Sequence, residues 1–100
     1  MRWYIAKLKR SMLDHFAREE SDACFGVVER ASPQLAARVG ALRAEHGLML
    51  EATEELWRRS DHPEHSSELS PLIDSLLDRY QIHERAEAAV MRAFLGDSSP

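Results

Sequence analysis

Five residues carry the types and spacings from which a metal site could be built: His15, Glu19, His46, His83 and Glu87. His83 and Glu87 stand four apart, which puts both on one side of a helix turning about 100° per residue. Around them Leu69, Leu72, Ile73, Leu76, Tyr80, Val90, Met91 and Phe94 form an apolar stripe, with the histidine and the glutamate near its middle. A carboxylate inside such a stripe must be protonated, paired or metal-bound, because burying a lone charge costs several kcal/mol. His15 and Glu19 repeat the same spacing. Glu19 lies close to the centre of a stripe made by Ile5, Leu8, Met12, Phe16, Ala23 and Val27, and His15 lies on its flank, about 70° away. His46 falls on the axis of a third stripe, Leu35, Val39, Leu42, Met49, Leu50, Leu56 and Trp57; Lys9 and Glu84 lie on stripe edges and Arg30 in line at a helix end. Imidazole nitrogens and carboxylate oxygens hold divalent metals at about 2.0–2.2 Å, so one inward layer of these groups can take one or two ions.

The elements that would position them are three long helices. Residues 2 to about 31 keep a helical period with a single glycine and no proline, and Ser32-Pro33 ends that run and starts the next, serine as N-cap and proline in the first turn. The second helix is expected over about 33–60, where Gly40 and Gly47 are tolerated at roughly 1 kcal/mol each. Ser60 to Ser67 is polar, aperiodic and contains Pro63, so it is read as a loop, and its His62 and His65 as solvated rather than ligating. The third helix is expected over about 68–95, starting near Ser67 or Ser70-Pro71 and stopping at Gly96, a C′ residue; residues 97–100 are expected to fray. Short connections make neighbours antiparallel, so the fold class is all-α, an up-down bundle of one domain. Reflecting the chain about Ser32-Pro33 sets Glu19 level with His46. Reflecting about the 60–67 loop sets His46 within one turn, about 5.4 Å, of His83. All five candidates converge on one layer.

Composition removes several other classes. The net charge of −4, with 30% charged residues of both signs, offers no basic footprint for nucleic acid or an anionic membrane. Cys24 is the only cysteine, so neither an internal disulfide nor a thiolate cluster can form. No apolar run suits a signal peptide or a membrane span, which places the expected location in the cytoplasm. Glycine-rich phosphate loops, nucleophile elbows and Cys-x-x-Cys pairs are absent from the sequence.

Leu13-Asp-His-Phe-Ala-Arg-Glu-Glu20, Leu42-Arg-Ala-Glu-His46 and His83-Glu-Arg-Ala-Glu87 are together similar to the helix-by-helix motif of the hemerythrin-like cation-binding family: His-Phe-x-x-Glu-Glu, Glu-His, then His-x-x-x-Glu. The resemblance covers helices two to four of that four-helix fold, the first helix having no counterpart. It implies a non-heme di-iron centre held by His15, Glu19, His46, His83 and Glu87, with Glu19 and Glu87 as bridges and manganese or zinc as alternatives. The implied role is oxygen, redox or iron sensing, or iron handling, with metal ions and dioxygen as partners. Where the oxygen carriers have an extra histidine one turn before the third-helix ligand, this chain has Leu42, which points away from reversible oxygen carriage. Catalysis is not expected, since a di-iron oxidase or peroxidase needs an open position and a substrate pocket. Trp3, Ala6, Leu13, Cys24 and Val28 make a second apolar set on the first helix, which suggests a homodimer that completes the bundle. The competing reading is a metal-free helical interaction module whose His-Glu pairs are buried salt bridges that set register.

Overall fold

A computed structural model describes residues 1–96, and the described residues are all-α. Helix α1 spans Arg2–Glu19, α2 Phe25–Ala31, α3 Pro33–Arg59 and α4 Ser66–Phe94, with a 3-10 turn at Pro63–His65 inside the loop before α4. None of these helices is long and apolar enough to cross a membrane.

The first expected helix, 2–31, is two helices. The ladder stops at Glu19 because Ser21 Oγ donates to the Arg18 carbonyl at 2.8 Å, and Arg43 Nη1 donates to the Glu20 carbonyl at 3.1 Å. Serine and aspartate near a potential helix end compete for backbone groups in this way. The chain turns through residues 20–24 and restarts at Phe25 with a changed phase. Ala23 and Val27, expected inside, are exposed, while Phe25 and Val28 are buried. Hydrophobic period alone could not register the shift, since both faces of this stretch carry apolar residues.

Pro33 opens α3 with Ser32 in extended backbone geometry before it. Helix α4 starts at Ser66, slightly before the expected boundary, and runs through Pro71. Proline so near a helix start removes only one ladder bond, to Ser67, before α4 is established. Leu72, assigned to the inner stripe, is instead exposed. The helix ends as expected at glycine: Gly96 has φ of 69°, the left-handed geometry of a C′ residue. The expected fraying of 97–100 lies outside the described residues.

Contacts fix how the helices run. Arg2 pairs with Asp61 and Lys9 with Glu54, so α1 and α3 are antiparallel; Arg59 reaches Glu68 at 2.6 Å and His46 reaches His83 at 3.0 Å, so α3 and α4 are antiparallel too. Helix α2 packs on α3. The buried apolar residues fall into two clusters. Ile5, Met12, Phe16, Met49, Leu56, Leu69, Ile73 and Leu76 form one, and Phe25, Val28, Leu35, Val39, Leu42 and Val90 the other. Glu19, His46, His83 and Glu87 each lie in sequence between a member of the first cluster and a member of the second, so a polar layer separates two dry cores.

Candidate metal centre

Glu19 from the last turn of α1, His46 from the middle of α3, and His83 with Glu87 from α4 each offer one ligand atom, and these atoms all lie within 4.8 Å of one another. His46 and His83 are 1% and 0% exposed. His46 Nε2 is 3.0 Å from His83 Nε2 and 3.1 Å from Glu19 Oε1, and His83 Nε2 is 3.5 Å from Glu87 Oε2.

The other ring nitrogens are already taken. Glu20 Oε2 lies 2.7 Å from His46 Nδ1, and Glu45 Oε1 lies 3.2 Å from His83 Nδ1. A carboxylate only accepts, so each Nδ1 donates to its glutamate, which leaves each Nε2 facing the layer. Two carboxylates outside and two imidazoles inside is the arrangement that orients metal-bound histidines. Neither Glu20 nor Glu45 is among the residues that the apolar stripes single out. Their signal was adjacency, Glu20 beside Glu19 and Glu45 beside His46, but only packing brings Glu45 to a histidine of another helix.

Two phenyl rings hold His46 as well. Phe16 stacks on it at 3.9 Å between centroids and 7° between planes, and Phe25 lies near-parallel to it at 5.6 Å and 15°. The break at residues 20–24 turns Phe25 inward for this purpose. Arg43, one turn before His46, secures the break: its guanidinium donates to Glu29 Oε1 and Oε2 at 2.7 and 3.2 Å, takes the Glu20 carbonyl, and sits 5.5 Å from the Phe25 ring.

Charge in the layer is strained toward protonation. Burial raises the Glu19 carboxyl above its ordinary value; His46 lowers it, and Glu87 raises it further. Burial also opposes ionisation of Glu87, but bonding to His83 and to Glu19 outweighs it and holds Glu87 below the usual range. Burial lowers His83, and its contacts with Glu87 and Glu45 overcome this to raise it. Glu19 Oε1 and Glu87 Oε2 are buried, and the imidazoles beside them, His46 Nε2 at 3.1 Å and His83 Nε2 at 3.5 Å, make no hydrogen bond of good geometry to them. Orphaned buried carboxylate oxygens are rare and call for an explanation such as an ion.

These donors fit a divalent metal. Two nitrogens bound to one ion at about 2.0–2.1 Å stand about 2.9–3.4 Å apart for octahedral or tetrahedral angles, which brackets the His46–His83 separation. His15 is set apart from this cage. Its Nε2 lies 3.1 Å from Glu19 Oε2 and 3.3 Å from Glu84 Oε1 at the rim, so Glu19 faces His46 with one oxygen and His15 with the other. His62 and His65 pair locally with Glu64 and Glu68, far along the chain from the layer. Compared with known proteins, the chain matches no family model, no curated protein and no solved structure.

Proposed function

We propose that the chain is a non-heme iron-binding protein of hemerythrin-like type, an up-down bundle of three long helices with the short α2 between the first two, that senses oxygen, redox state or iron, or handles iron. The observation that carries this reading is that Glu19, His46, His83 and Glu87 each bring one ligand atom within 4.8 Å of the others while both Nδ1 atoms are engaged from outside. Without a cation the four repel one another, and protons must be shared between them.

His46, His83, Glu19 and Glu87 would hold the first ion, and Glu19, with its second oxygen on His15, is the residue able to bridge to a second. Bound iron would supply reversible redox and small-molecule-binding chemistry. The chain's own contribution is to orient the imidazoles through Glu20 and Glu45, to stack Phe16 and Phe25 against His46, and to exclude bulk water from the inner donors. Imidazole and carboxylate donors also suit manganese or zinc, and geometry and supply select among them. A homodimer that covers α1 completes the proposal.

A second reading, the metal-free interaction module, is favoured by the raised Glu19 and His83, since a proton shared within each pair satisfies part of the layer. Metal analysis of untagged protein after anaerobic ferrous loading, with absorption spectra before and after reduction, separates the two. Bound iron with a redox-sensitive charge-transfer band supports the iron protein; folded protein with no transition metal overturns it.

A further inference from the structure

Four side chains run in line from the surface to the buried layer: Glu29, Arg43, Glu20 and His46. The Arg43 guanidinium donates to both oxygens of Glu29, at 2.7 and 3.2 Å, and to the Glu20 carbonyl at 3.1 Å, and its Nη1 stands 3.7 Å from Glu20 Oε1. The other oxygen of that carboxylate, Oε2, accepts from His46 Nδ1 at 2.7 Å. Glu20 opens the break after α1 and Glu29 lies within α2, so one arginine of α3 fastens segment 20–31 at two points, and the same segment brings Glu20 and Phe25 to His46. We propose that segment 20–31 is a docking element coupled to the metal centre: it is held more firmly when His46 binds a metal, and Arg43 and Glu29 are positioning residues that set metal affinity through Glu20. This rests on the inner centre being a metal site.

The segment is built to loosen on its own. Helix α2 has seven residues and lies between two interruptions of the helical ladder, the turn at 20–24 and Ser32, whose backbone is extended. Isolated helices shorter than about 12–15 residues are marginal, so α2 is helical only while docked. It packs mainly on α3, through the buried Phe25 and Val28 and through the Arg43–Glu29 pair, whose side chains are 30% and 31% exposed. Helices α3 and α4 hold His46 and His83 whether α2 is docked or not, so an opening confined to 20–31 leaves the bundle standing. A metal on Nε2 draws charge from the imidazole and makes Nδ1–H a stronger donor to Glu20. By linkage, a Glu20 already held in place favours the metal by the same factor. Arg43 acts on where Glu20 stands rather than on how strongly it accepts, since 3.7 Å to Oε1 is beyond hydrogen-bond reach and the grip is on the carbonyl and on Glu29.

Hydrogen exchange read by mass spectrometry on the full chain tests the coupling, with metal-free protein compared with protein loaded with Zn2+, or with anaerobic Fe2+ where Zn2+ does not bind. In wild type the metal should slow exchange across 21–31 by about tenfold or more and change 53–59, at the far end of α3, by less than about twofold. Arg43→Gln should speed exchange across 21–31 in the metal-free protein and weaken metal affinity, measured by chelator competition, by about fivefold or more. Glu29→Gln leaves the bond to the Glu20 carbonyl in place and should do the same to a smaller degree; it carries the test if Arg43→Gln does not fold. A clasp that is only structural gives faster exchange in the variants with unchanged affinity, or no protection of 21–31 by the metal, and either result overturns the coupling while leaving the metal centre standing. A wild-type chain that binds neither ion overturns the metal centre and the coupling with it.

Discussion

The Nε2 atoms of His46 and His83 face each other at 3.0 Å across the α3–α4 interface, with Glu20 and Glu45 on the opposite ring nitrogens. Ring nitrogens this close cannot both turn bare lone pairs at each other. Either a proton or a cation must lie between them, and the two choices make different predictions.

Glu19→Gln and Glu87→Gln should each remove bound metal and keep the fold. In the metal-free protein the Glu19 carboxyl is raised, so an amide imitates it and Glu19→Gln should change stability by no more than about 1 kcal/mol, whereas Glu87 is held low as the charged partner of His83 and Glu87→Gln should cost more. Chemical denaturation of the metal-free variants is the check. Were these residues present as structural salt bridges, breaking one would cost about 3–5 kcal/mol. His62→Ala and His65→Ala serve as controls and should leave metal content unchanged.

Metal affinity should rise with pH. Glu19 and His83 are both raised, so the metal-free layer holds protons that an ion must displace. The sign for the metal-free fold is opposite. Because the folded His83 value lies above the unfolded one of about 6.5, its contribution to stability is full below that pH and is lost as pH rises through the folded value. Denaturation of metal-free protein near pH 6 and near pH 9 should therefore show the lower stability at the higher pH, and binding titrations over the same range the tighter metal.

Phe25→Ala should cost about 3–5 kcal/mol, the range for deleting a buried aromatic ring. Phe25 is fully buried at the start of a seven-residue helix and covers one face of His46, so the loss reaches the site as well as the core. Thermal melts of the metal-free variant measure the first effect and metal titration the second.

The glycines of α3 and α2 should respond in opposite directions. Gly40 and Gly47 are exposed within α3, and an added Cβ meets nothing within 4 Å, so alanine at either should stabilise by about 0.5–1 kcal/mol. At Gly26 a Cβ would stand 3.3 Å from the Ser21 carbonyl, which accepts the Gly26 N–H, and 3.1 Å from Asp22 Oδ1 and Arg30 Nη1. Gly26→Ala should destabilise, as equilibrium denaturation of the three variants would register.

Sedimentation at micromolar concentration should show self-association. Trp3 is 72% exposed and Leu13 44% on the same helix, a surface that a second chain could cover. Trp3→Glu together with Leu13→Glu should give a monomer, and a wild-type protein that is already a compact monomer would refute the dimer.

Helical period and breaker residues determined the all-α class, the α3 start at Ser32-Pro33 and the stop at Gly96, because these depend on local backbone preference and on one apolar stripe per helix. The same stripes, with reflection about the two connections, were enough to set Glu19, His46, His83 and Glu87 at one height. Other features needed the folded chain. The break after Glu19 depends on Arg43, twenty-four residues later, capturing the Glu20 carbonyl and the Glu29 carboxylate. Glu45 finds His83, and Glu84 finds His15, across helix interfaces whose axial rotation no single stripe specifies. A helical period tells which way a side chain faces within its own helix; which partner it meets is decided by how closely packed side chains turn and slide the helices against one another.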